Sequence, residues 1–246
     1  MAENELHFCP VCEQGCSHLL AGLSREGLQE WEEIVHSSRP LPYAKGETIY
    51  HDGMPAMGVY IVCTGIVKVM KRNTGGKSQI LKLVGPGEFL GEESLFGEGI
   101  YRSYSQALLP TQVKMIERRR FLGFLARYQQ FGLRLTAKLA LEVQAFQDRL
   151  LEASYESCKE KVARLLLRVA HSYGQHDLAG RWQLEMPRAD LAQMTGISLE
   201  TAIRTLSRFQ ERGWLRLDSH RITILRPEEL EKLVEPFETQ VQENVV

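Results

Sequence analysis

Near the carboxyl-terminal end of the chain, two side chains with complementary hydrogen-bonding chemistry lie four residues apart. Glu200 supplies a carboxylate and Arg204 supplies a guanidinium fork. A carboxylate accepts a hydrogen bond from the amino group of cytosine, and a guanidinium donates to the two acceptors of guanine. Ser198, Thr201 and Arg208 flank this pair with groups suited to phosphate oxygens, contacts that position a protein without specifying a sequence. Together these residues predict a surface that reads duplex DNA.

A helix must present these side chains, and the segment 187–213 predicts two helices joined by a tight turn. Gly196 can adopt the left-handed backbone that ends a first helix, and Ser198 can cap a second one. Apolar residues then recur at spacings of four and three, which turns the polar residues outward. These inward-facing residues are Ala202, Leu206 and Phe209. The pattern predicts a helix-turn-helix, with an ordinary surface helical hairpin as the alternative.

A β-hairpin is predicted directly after the helix pair. Residues 214–217 and 222–225 are typical of short strands, with a turn at 218–220 between them. A helix-turn-helix followed by a hairpin is a winged helix. Residues 157–226 contain 12 Lys and Arg against 7 Asp and Glu, a net charge of +5, although the whole chain has a formal net charge of −1. A basic module within a nearly neutral chain favours binding to nucleic acid.

The composition argues against several other classes of protein. The chain has no run of 18 apolar residues and no secretory signal, so we expect no membrane association and no export. Five cysteines, an odd number, favour a reducing cytoplasm over a disulfide framework. We find no Ser/His/Asp arrangement, carboxylate pair or phosphate-binding glycine loop in the sequence, so we expect no enzymatic activity.

The sequence pattern divides the chain into five segments. They are a cysteine-containing N-terminal segment (1–22), a sensor domain (23–118), a dimerisation helix (119–156), a winged helix-turn-helix domain (157–237) and a flexible tail (238–246). The sensor domain opens with a short amphipathic helix that Ser24 can cap. Short alternating apolar runs follow, separated by glycines and prolines, and they predict a β-sandwich or small barrel.

A long helix is predicted from Arg119 to about Glu156, because no proline interrupts this stretch. Apolar residues recur along it at spacings of three and four, near the 3.5-residue period of a coiled-coil seam. These residues are Leu135, Leu139, Val143, Phe146, Leu150 and Ala153. The narrow stripe favours packing against a second copy of the chain, with packing against the chain's own barrel as the alternative.

Several motifs together resemble those of the CRP/FNR family of bacterial transcription regulators. They are LVGPGEFLGEESLF at 83–96, the pair Arg102-Ser103, the long helix, and GISLETAIRTLSRF at 196–209. The resemblance implies an α+β fold: an N-terminal β-roll (a double-stranded β-helix, jelly-roll-like), a long dimerisation helix and a C-terminal winged helix-turn-helix. It also implies a homodimer that binds a near-palindromic operator and works with RNA polymerase.

The resemblance carries over to the recognition helix position by position. Glu200 and Arg204 match the base-reading pair of the family. Leu199 stands where the cyclic-AMP-binding branch has another reading arginine, and Ile203 stands where the FNR branch has a serine. We therefore expect a half-site that retains the family's G·C core. We expect Leu199 and Ile203 to change which base pairs are preferred beside that core.

The first sensor hypothesis is a cyclic nucleotide, and it rests on the resemblance. In the family's phosphate-binding cassette, backbone donors, an arginine and a serine hydroxyl hold the cyclic phosphate, and a glutamate takes the ribose hydroxyl. The residues that match it are Gly91, Glu92, Arg102 and Ser103. Phe146 and Gln147 replace the hydroxyl pair that reads adenine in the cyclic-AMP branch, and Glu93 adds a carboxylate beside the anion site. A cassette retained as scaffold without a ligand is the alternative.

The second sensor hypothesis is a metal or redox centre near the N-terminus. Three cysteines are spaced by two and three residues, so their thiolates could share an iron–sulfur cluster or another metal. They are Cys9, Cys12 and Cys16. FNR-type oxygen sensors also gather cysteines before the β-roll, but their fourth ligand falls near Lys114 here. Only Cys63 and Cys158 could substitute, and Cys63 is more simply a buried apolar residue. Thiols without a metal are the alternative.

The sequence as a whole predicts a cytoplasmic, homodimeric, sequence-specific regulator whose N-terminal half senses an effector and controls DNA binding. The cysteine centre is slightly favoured as the signal, because Phe146 and Gln147 depart from the adenine-reading pair. The alternative class is a cyclic-nucleotide-binding module that controls a protein partner. Glu200 and Arg204 on a basic winged helix argue against that class.

Overall fold

The computed structural model describes residues 17–234 of the chain. It consists of two compact units, divided between Arg149 and Leu150. The first unit is a β-structure with helices before and after its strands, and the second unit is helical with one small sheet. None of the helices in residues 17–234 combines the length and the apolar character that a membrane span requires.

Two antiparallel sheets of four strands each form the β-roll of the first unit. The strands are β1 Leu41–Tyr43, β2 Thr48–Tyr50, β3 Gly58–Thr64, β4 Val67–Arg72, β5 Ser78–Val84, β6 Phe89–Leu90, β7 Tyr104–Ala107 and β8 Thr111–Glu117. The sheet orders are β1-β8-β3-β6 and β2-β7-β4-β5. Alternating apolar residues from both sheets are buried in one core, among them Val59, Ile61 and Val69. The predicted β-roll is confirmed.

Helices flank the strands of this unit. They are α1 Ser17–Leu20, α2 Arg25–His36, α3 Glu92–Phe96, α4 Arg118–Arg127 and α5 Gln129–Tyr155, the last of which continues into the second unit. The start of α2 lies where the sequence predicts it. The Ser24 hydroxyl oxygen accepts a hydrogen bond from the Gly27 amide at 3.2 Å and so satisfies one of the free donors at the helix start.

A cluster of aromatic rings joins the helices to the β-roll. The Trp31 ring on α2 lies 5.1 Å from the Phe124 ring and 5.1 Å from the Phe131 ring, measured between centroids. Phe89 and Phe121 complete the cluster, with edge-to-face contacts to their neighbours. All five side chains are essentially inaccessible to solvent. The cluster therefore holds α2, α4 and α5 on the β-roll.

The predicted single helix from Arg119 onward is two helices. The backbone of Tyr128 leaves the helical region, with φ −109° and ψ 79°, and separates α4 from α5. Its side chain is anchored to α2, because the Tyr128 hydroxyl donates to a Glu30 carboxylate oxygen at 2.9 Å. Neither glycine nor proline stands at the break, so local sequence signals give no warning of it.

Part of the predicted seam on α5 faces the chain's own β-roll. Leu135 is 1% exposed within the core, and Leu139 packs against the same core. The expectation that these two residues face a partner is wrong, because they cover the apolar surface of the β-roll. Val143, Phe146 and Leu150 remain exposed on the helix.

The second unit is a winged helix. Its helices are α6 Cys158–Tyr173, α7 Arg188–Thr195, α8 Leu199–Glu211 and α9 Pro227–Glu231, and its strands are β9 Gln175–His176, β10 Trp182–Glu185, β11 Leu215–Asp218 and β12 Arg221–Ile224. The strand order is β11-β12-β10-β9. The predicted hairpin after the helix pair is confirmed as β11 and β12. The preceding pair β9 and β10 extends this sheet and was not predicted from the sequence.

Candidate functional site

The turn between α7 and α8 has the geometry that the sequence predicts. Gly196 follows α7 with φ 69° and ψ 20°, a left-handed conformation that favours glycine. The Ser198 hydroxyl oxygen accepts a hydrogen bond from the Thr201 amide at 3.1 Å, and the Ser198 hydroxyl donates to the Thr201 hydroxyl oxygen at 2.8 Å. These contacts fix the direction in which α8 leaves the turn.

One face of α8 is buried and holds the helix in the winged helix core. Its residues are Ala202, Thr205, Leu206 and Phe209. Thr205 is tolerated among apolar neighbours because its hydroxyl donates to the Thr201 carbonyl oxygen at 2.8 Å. The Phe209 ring contacts the Trp214 ring with centroids 5.2 Å apart, which ties the helix to the start of the wing.

The opposite face of α8 is open to solvent and carries the predicted base-reading residues. Glu200, Arg204 and Arg208 follow one another at four-residue intervals, so they align along this face. All three are exposed, and none has an ion-pair partner within residues 17–234. A carboxylate and two guanidinium groups are therefore available to a ligand outside the chain.

Two further residues on the exposed side of α8 carry large apolar side chains. Leu199 and Ile203 are each 47% exposed, although the sequence pattern marks them only as departures from the family. Exposed apolar groups beside base-reading residues suit the methyl group of thymine. Their exposure, which the sequence alone does not show, makes both side chains accessible to a ligand outside the chain.

The wing adds positive charge that sequence reasoning did not assign to particular residues. Arg216 on β11 and Arg221 on β12 are exposed, as is His220 in the turn between the strands. Arg216 Nε lies 3.6 Å from an oxygen of the exposed Asp218 carboxylate. The net charge of the segment is the only sequence feature that pointed to them. Arginines on a wing next to a recognition helix are suited to phosphate contacts.

The predicted nucleotide cassette lies at the start of α3. Gly91 precedes this helix with φ 85°, and a Cβ atom there would lie 2.9 Å from the Tyr101 ring. Glu92 and Ser103 are buried, with 0% and 5% of their surface exposed. The Arg102 guanidinium instead pairs with the Glu98 carboxylate, and both of these side chains are about two-thirds exposed. Gly91 and Glu92 thus lie at the start of α3 and Ser103 is buried, while Arg102 is turned to the surface.

Glu92 belongs to a compact group of four charged side chains, which we call the ion cluster. Its members are Lys82 on β5, Glu92 on α3, and Lys138 and Glu142 on α5. Lys138 Nζ lies 2.6 Å from Glu92 Oε1 and 2.8 Å from Glu142 Oε1. Lys82 Nζ lies 2.8 Å from Glu142 Oε2 and 3.8 Å from Glu92 Oε1. Two positive and two negative groups thus neutralise one another.

The pKa values of the ion cluster follow from its pairing. Burial by itself lowers the pKa of Lys82 and of Lys138, but the carboxylates of Glu92 and Glu142 outweigh burial and raise both above the ordinary lysine value. Burial raises the pKa of Glu142, and the two lysines outweigh it so that this pKa lies below its usual range. Lys82, Lys138 and Glu142 are therefore charged at neutral pH.

In this arrangement two residues of the predicted cassette already have partners within the chain. Glu92 Oε1 already accepts hydrogen bonds from Lys138, and Arg102 points toward Glu98. Burial of its carboxyl group and the adjacent Glu92 carboxylate raise the pKa of Glu93. On α5, Phe146 and Gln147 are exposed, and the Arg149 guanidinium lies 4.3 Å from the centre of the Phe146 ring.

The hypothesis of a metal or redox centre concerns residues outside the described range. Cys9, Cys12 and Cys16 lie outside the described residues 17–234. Within that range, no group of three or more His, Cys, Asp and Glu side chains is arranged to hold a metal ion. Cys63 is buried, as predicted, and Cys158 is the exposed first residue of α6.

The chain is similar over most of its length to known regulators. Two family models match it, a cyclic nucleotide-binding domain over residues 40–128 and a Crp-like helix-turn-helix domain over residues 160–233. The CRP-like cAMP-activated global transcriptional regulator of Mycobacterium tuberculosis is 27% identical over 198 residues, which cover 80% of this chain and 88% of that protein. Transcriptional activator protein FnrA of Stutzerimonas stutzeri is 26% identical over 225 residues, 91% of each chain.

A solved structure supports the same relationship. The structure of FixK2 from Bradyrhizobium japonicum matches with a TM-score of 0.72 and 28% identity, and it covers 81% of this chain and 98% of that one. The two matched family models coincide with the β-roll and the winged helix described above. The chain belongs to the CRP/FNR family of transcription regulators and contains the helix-turn-helix DNA-binding domain of that family. Its fold and its relatives are those of regulators and not of enzymes.

Proposed function

We propose that this chain acts as a homodimeric transcription regulator that reads a near-palindromic operator with α8. The observation that carries the proposal is the two-sided character of this helix. One face is buried in the winged helix core, while Glu200 and Arg204 on the other face are exposed and without an ion partner within the described residues. A helix that is anchored on one side and presents a free carboxylate and guanidinium on the other suits the major groove.

Different residues carry affinity and specificity in this proposal. Arg204 donates to guanine O6 and N7, and Glu200 accepts from cytosine N4. Thr201 keeps its own hydroxyl hydrogen free for a phosphate oxygen, because Ser198 is the donor in their mutual hydrogen bond. Arg208, together with Arg216 and Arg221 of the wing, adds phosphate contacts that position α8. The Ser198 hydroxyl hydrogen is already donated to Thr201, so Ser198 shapes the turn instead of binding phosphate.

Selection of bound sequences from a pool of random duplexes tests this function. Full-length protein should enrich one inverted repeat with G·C pairs in each half-site, because two copies of the same helix read the two halves. RNA polymerase is the expected protein partner, and the cytoplasm is the expected location because the target is chromosomal DNA. Recovery of random sequences after several rounds would contradict the proposal.

The homodimer is proposed from the exposed surface of α5. Positions spaced alternately by four and three residues fall on one side of this helix, opposite the side that packs on the β-roll. They are Leu133, Ala137, Ala140, Gln144, Gln147, Leu151 and Ser154, which we call the α5 seam. All seven are exposed within the described chain, and Leu133 is 66% exposed. A second copy of the chain would bury this seam.

Substitution Leu133→Glu should split the dimer. A carboxylate at this position would be buried without a partner, at a cost of several kcal/mol, on the order of the penalty for an unpaired buried charge. Analytical ultracentrifugation at micromolar concentration should show a dimer for the wild-type protein and a monomer for the variant. Ala145→Glu is the matched control, because Ala145 is exposed on the same helix but lies outside the α5 seam. A wild-type monomer would contradict the proposal.

We further propose that Cys9, Cys12 and Cys16 receive the regulatory signal by holding an iron–sulfur cluster or another metal. The proposal is supported by the spacing of the three cysteines. It is also supported by the predicted nucleotide cassette, where Lys138 already engages Glu92. Protein purified without oxygen should contain iron and sulfide or zinc, and Cys12→Ser should remove the metal and change operator affinity. Metal-free protein that binds its operator equally well with all three cysteines replaced would contradict it.

A further inference from the structure

The ion cluster includes Glu92, a residue of the family's cyclic-nucleotide cassette. Glu92 is the member of the cassette that would take a ribose hydroxyl, and it is 0% exposed. Its Oε1 atom is held by Lys138 at 2.6 Å and lies 3.8 Å from the Nζ atom of Lys82. Its Oε2 atom is buried and has no hydrogen-bond partner in the described chain. Lys138 and Lys82 therefore engage one oxygen of this carboxylate, while the other oxygen is buried without a partner in the described chain.

The ion cluster also connects three elements of the first unit. Lys82 comes from β5, Glu92 comes from α3, and Lys138 and Glu142 come from successive turns of α5. Arg149, farther along the same side of α5, donates to the Leu81 carbonyl oxygen of β5. Charged side chains therefore hold α5 against the β-roll over a length of about three helical turns.

The charges of the ion cluster balance without any added ligand. Two lysines face two glutamates, and Glu142 bridges both lysines with its two oxygens. Withdrawing Lys138 toward a bound anion would leave the buried Glu92 without its closest cation, which is the costly state of a buried ion pair. Arg102, which would hold the phosphate in the family's cassette, instead pairs with Glu98 at the surface.

We propose that the ion cluster is an internal substitute for a bound cyclic nucleotide, which orients α5 on the β-roll so that DNA binding needs no nucleotide. The proposal rests on the DNA-binding function proposed above, and it assigns the control of α5 to Lys82, Glu92, Lys138 and Glu142. The α5 seam lies on the opposite side of this helix, so the ion cluster sets how the seam is presented to a second copy of the chain.

Nucleotide addition to the full-length wild-type protein is the first arm of the test. Cyclic AMP and cyclic GMP at millimolar concentration should leave Tm and operator affinity unchanged, because a ligand that binds the native state must raise Tm. A rise in Tm with either nucleotide, abolished by Arg102→Ala, would show that the pocket accepts the family's ligand and would overturn the proposal.

Removal of one charge is the second arm. Lys138→Met should lower Tm by at least about 5 °C and weaken operator binding about tenfold, because Glu92 then lacks its main partner. Lys77→Met is the matched control, since Lys77 is an exposed lysine in the turn between β4 and β5 with no ion-pair partner in residues 17–234. Equal effects of the two substitutions would overturn the proposal.

A double variant keeps the test decisive if Lys138→Met folds poorly. Adding Glu92→Gln to Lys138→Met removes both charges, so more than half of the lost Tm should return. No recovery would mean that Lys138 and Glu92 are not coupled and would count against the ion cluster. Tm and nucleotide binding are measured without DNA, so a failure of the DNA-binding proposal would leave these readouts interpretable.

Discussion

Replacing Arg204 with alanine should weaken operator binding by about 1–3 kcal/mol for each half-site and should relax the base preference at the contacted position. The guanidinium of Arg204 is exposed on the free face of α8 and makes no ion pair within the described chain, so the substitution leaves the fold untouched. Fluorescence anisotropy with the selected operator and with a scrambled duplex measures the two affinities. The ratio between them should fall together with the operator affinity.

Arg208→Ala is the matched control for this experiment. Arg208 lies one turn farther along the same face of α8, where a phosphate contact is expected. Its loss should weaken binding to operator and scrambled DNA alike. The slope of the logarithm of the binding constant against the logarithm of the salt concentration should also become smaller by about one. Equal losses on both duplexes for Arg204→Ala would show that Arg204 does not read bases.

The largest effect on stability should come from Trp31. Its ring contacts the rings of Phe89, Phe121, Phe124 and Phe131, and Trp31 is 1% exposed. Trp31→Ala would leave a cavity at the centre of this cluster and should cost about 3–5 kcal/mol in the free energy of unfolding. Urea unfolding followed by circular dichroism measures this loss.

Trp31→Phe separates packing from hydrogen bonding. The Trp31 Nε1 atom is buried and has no hydrogen-bond partner within the described residues, so phenylalanine removes an unsatisfied donor while keeping most of the ring volume. This variant should lose much less stability than Trp31→Ala. A loss below about 1 kcal/mol for Trp31→Ala would show that the aromatic cluster does not hold the helices on the β-roll.

The winged helix was predictable because its signals are local. Gly196 and Ser198 mark the turn by their backbone and capping preferences, and the apolar spacing along α8 separates its buried face from its exposed face. The β-roll was predictable for a similar reason, since short alternating runs between glycines are typical of strands. The cap of α2 is local as well, because serine at position 24 is a residue type that favours the start of a helix.

The features that escaped prediction depend on contacts between distant parts of the chain. Lys138 and Glu142 are four residues apart on one helix, a spacing that suggests a pair. Lys82 lies far from both in the sequence, and nothing near it shows that it also pairs with Glu142. The break at Tyr128 has no helix-breaking residue, and it coincides with a contact between Tyr128 and the distant Glu30 on α2. The stripe on the long helix mixed residues that face the β-roll, such as Leu135, with residues that stay exposed.

Guanine methylation interference on the selected operator tests most directly whether two copies of α8 read successive major grooves. Methyl groups at guanine N7 block a guanidinium that approaches through the major groove. The proposed function predicts interference at equivalent guanines in both half-sites, about one helical turn apart, and loss of that interference with Arg204→Ala. Binding that is insensitive to guanine N7 methylation, or sensitive in only one half-site, would contradict it.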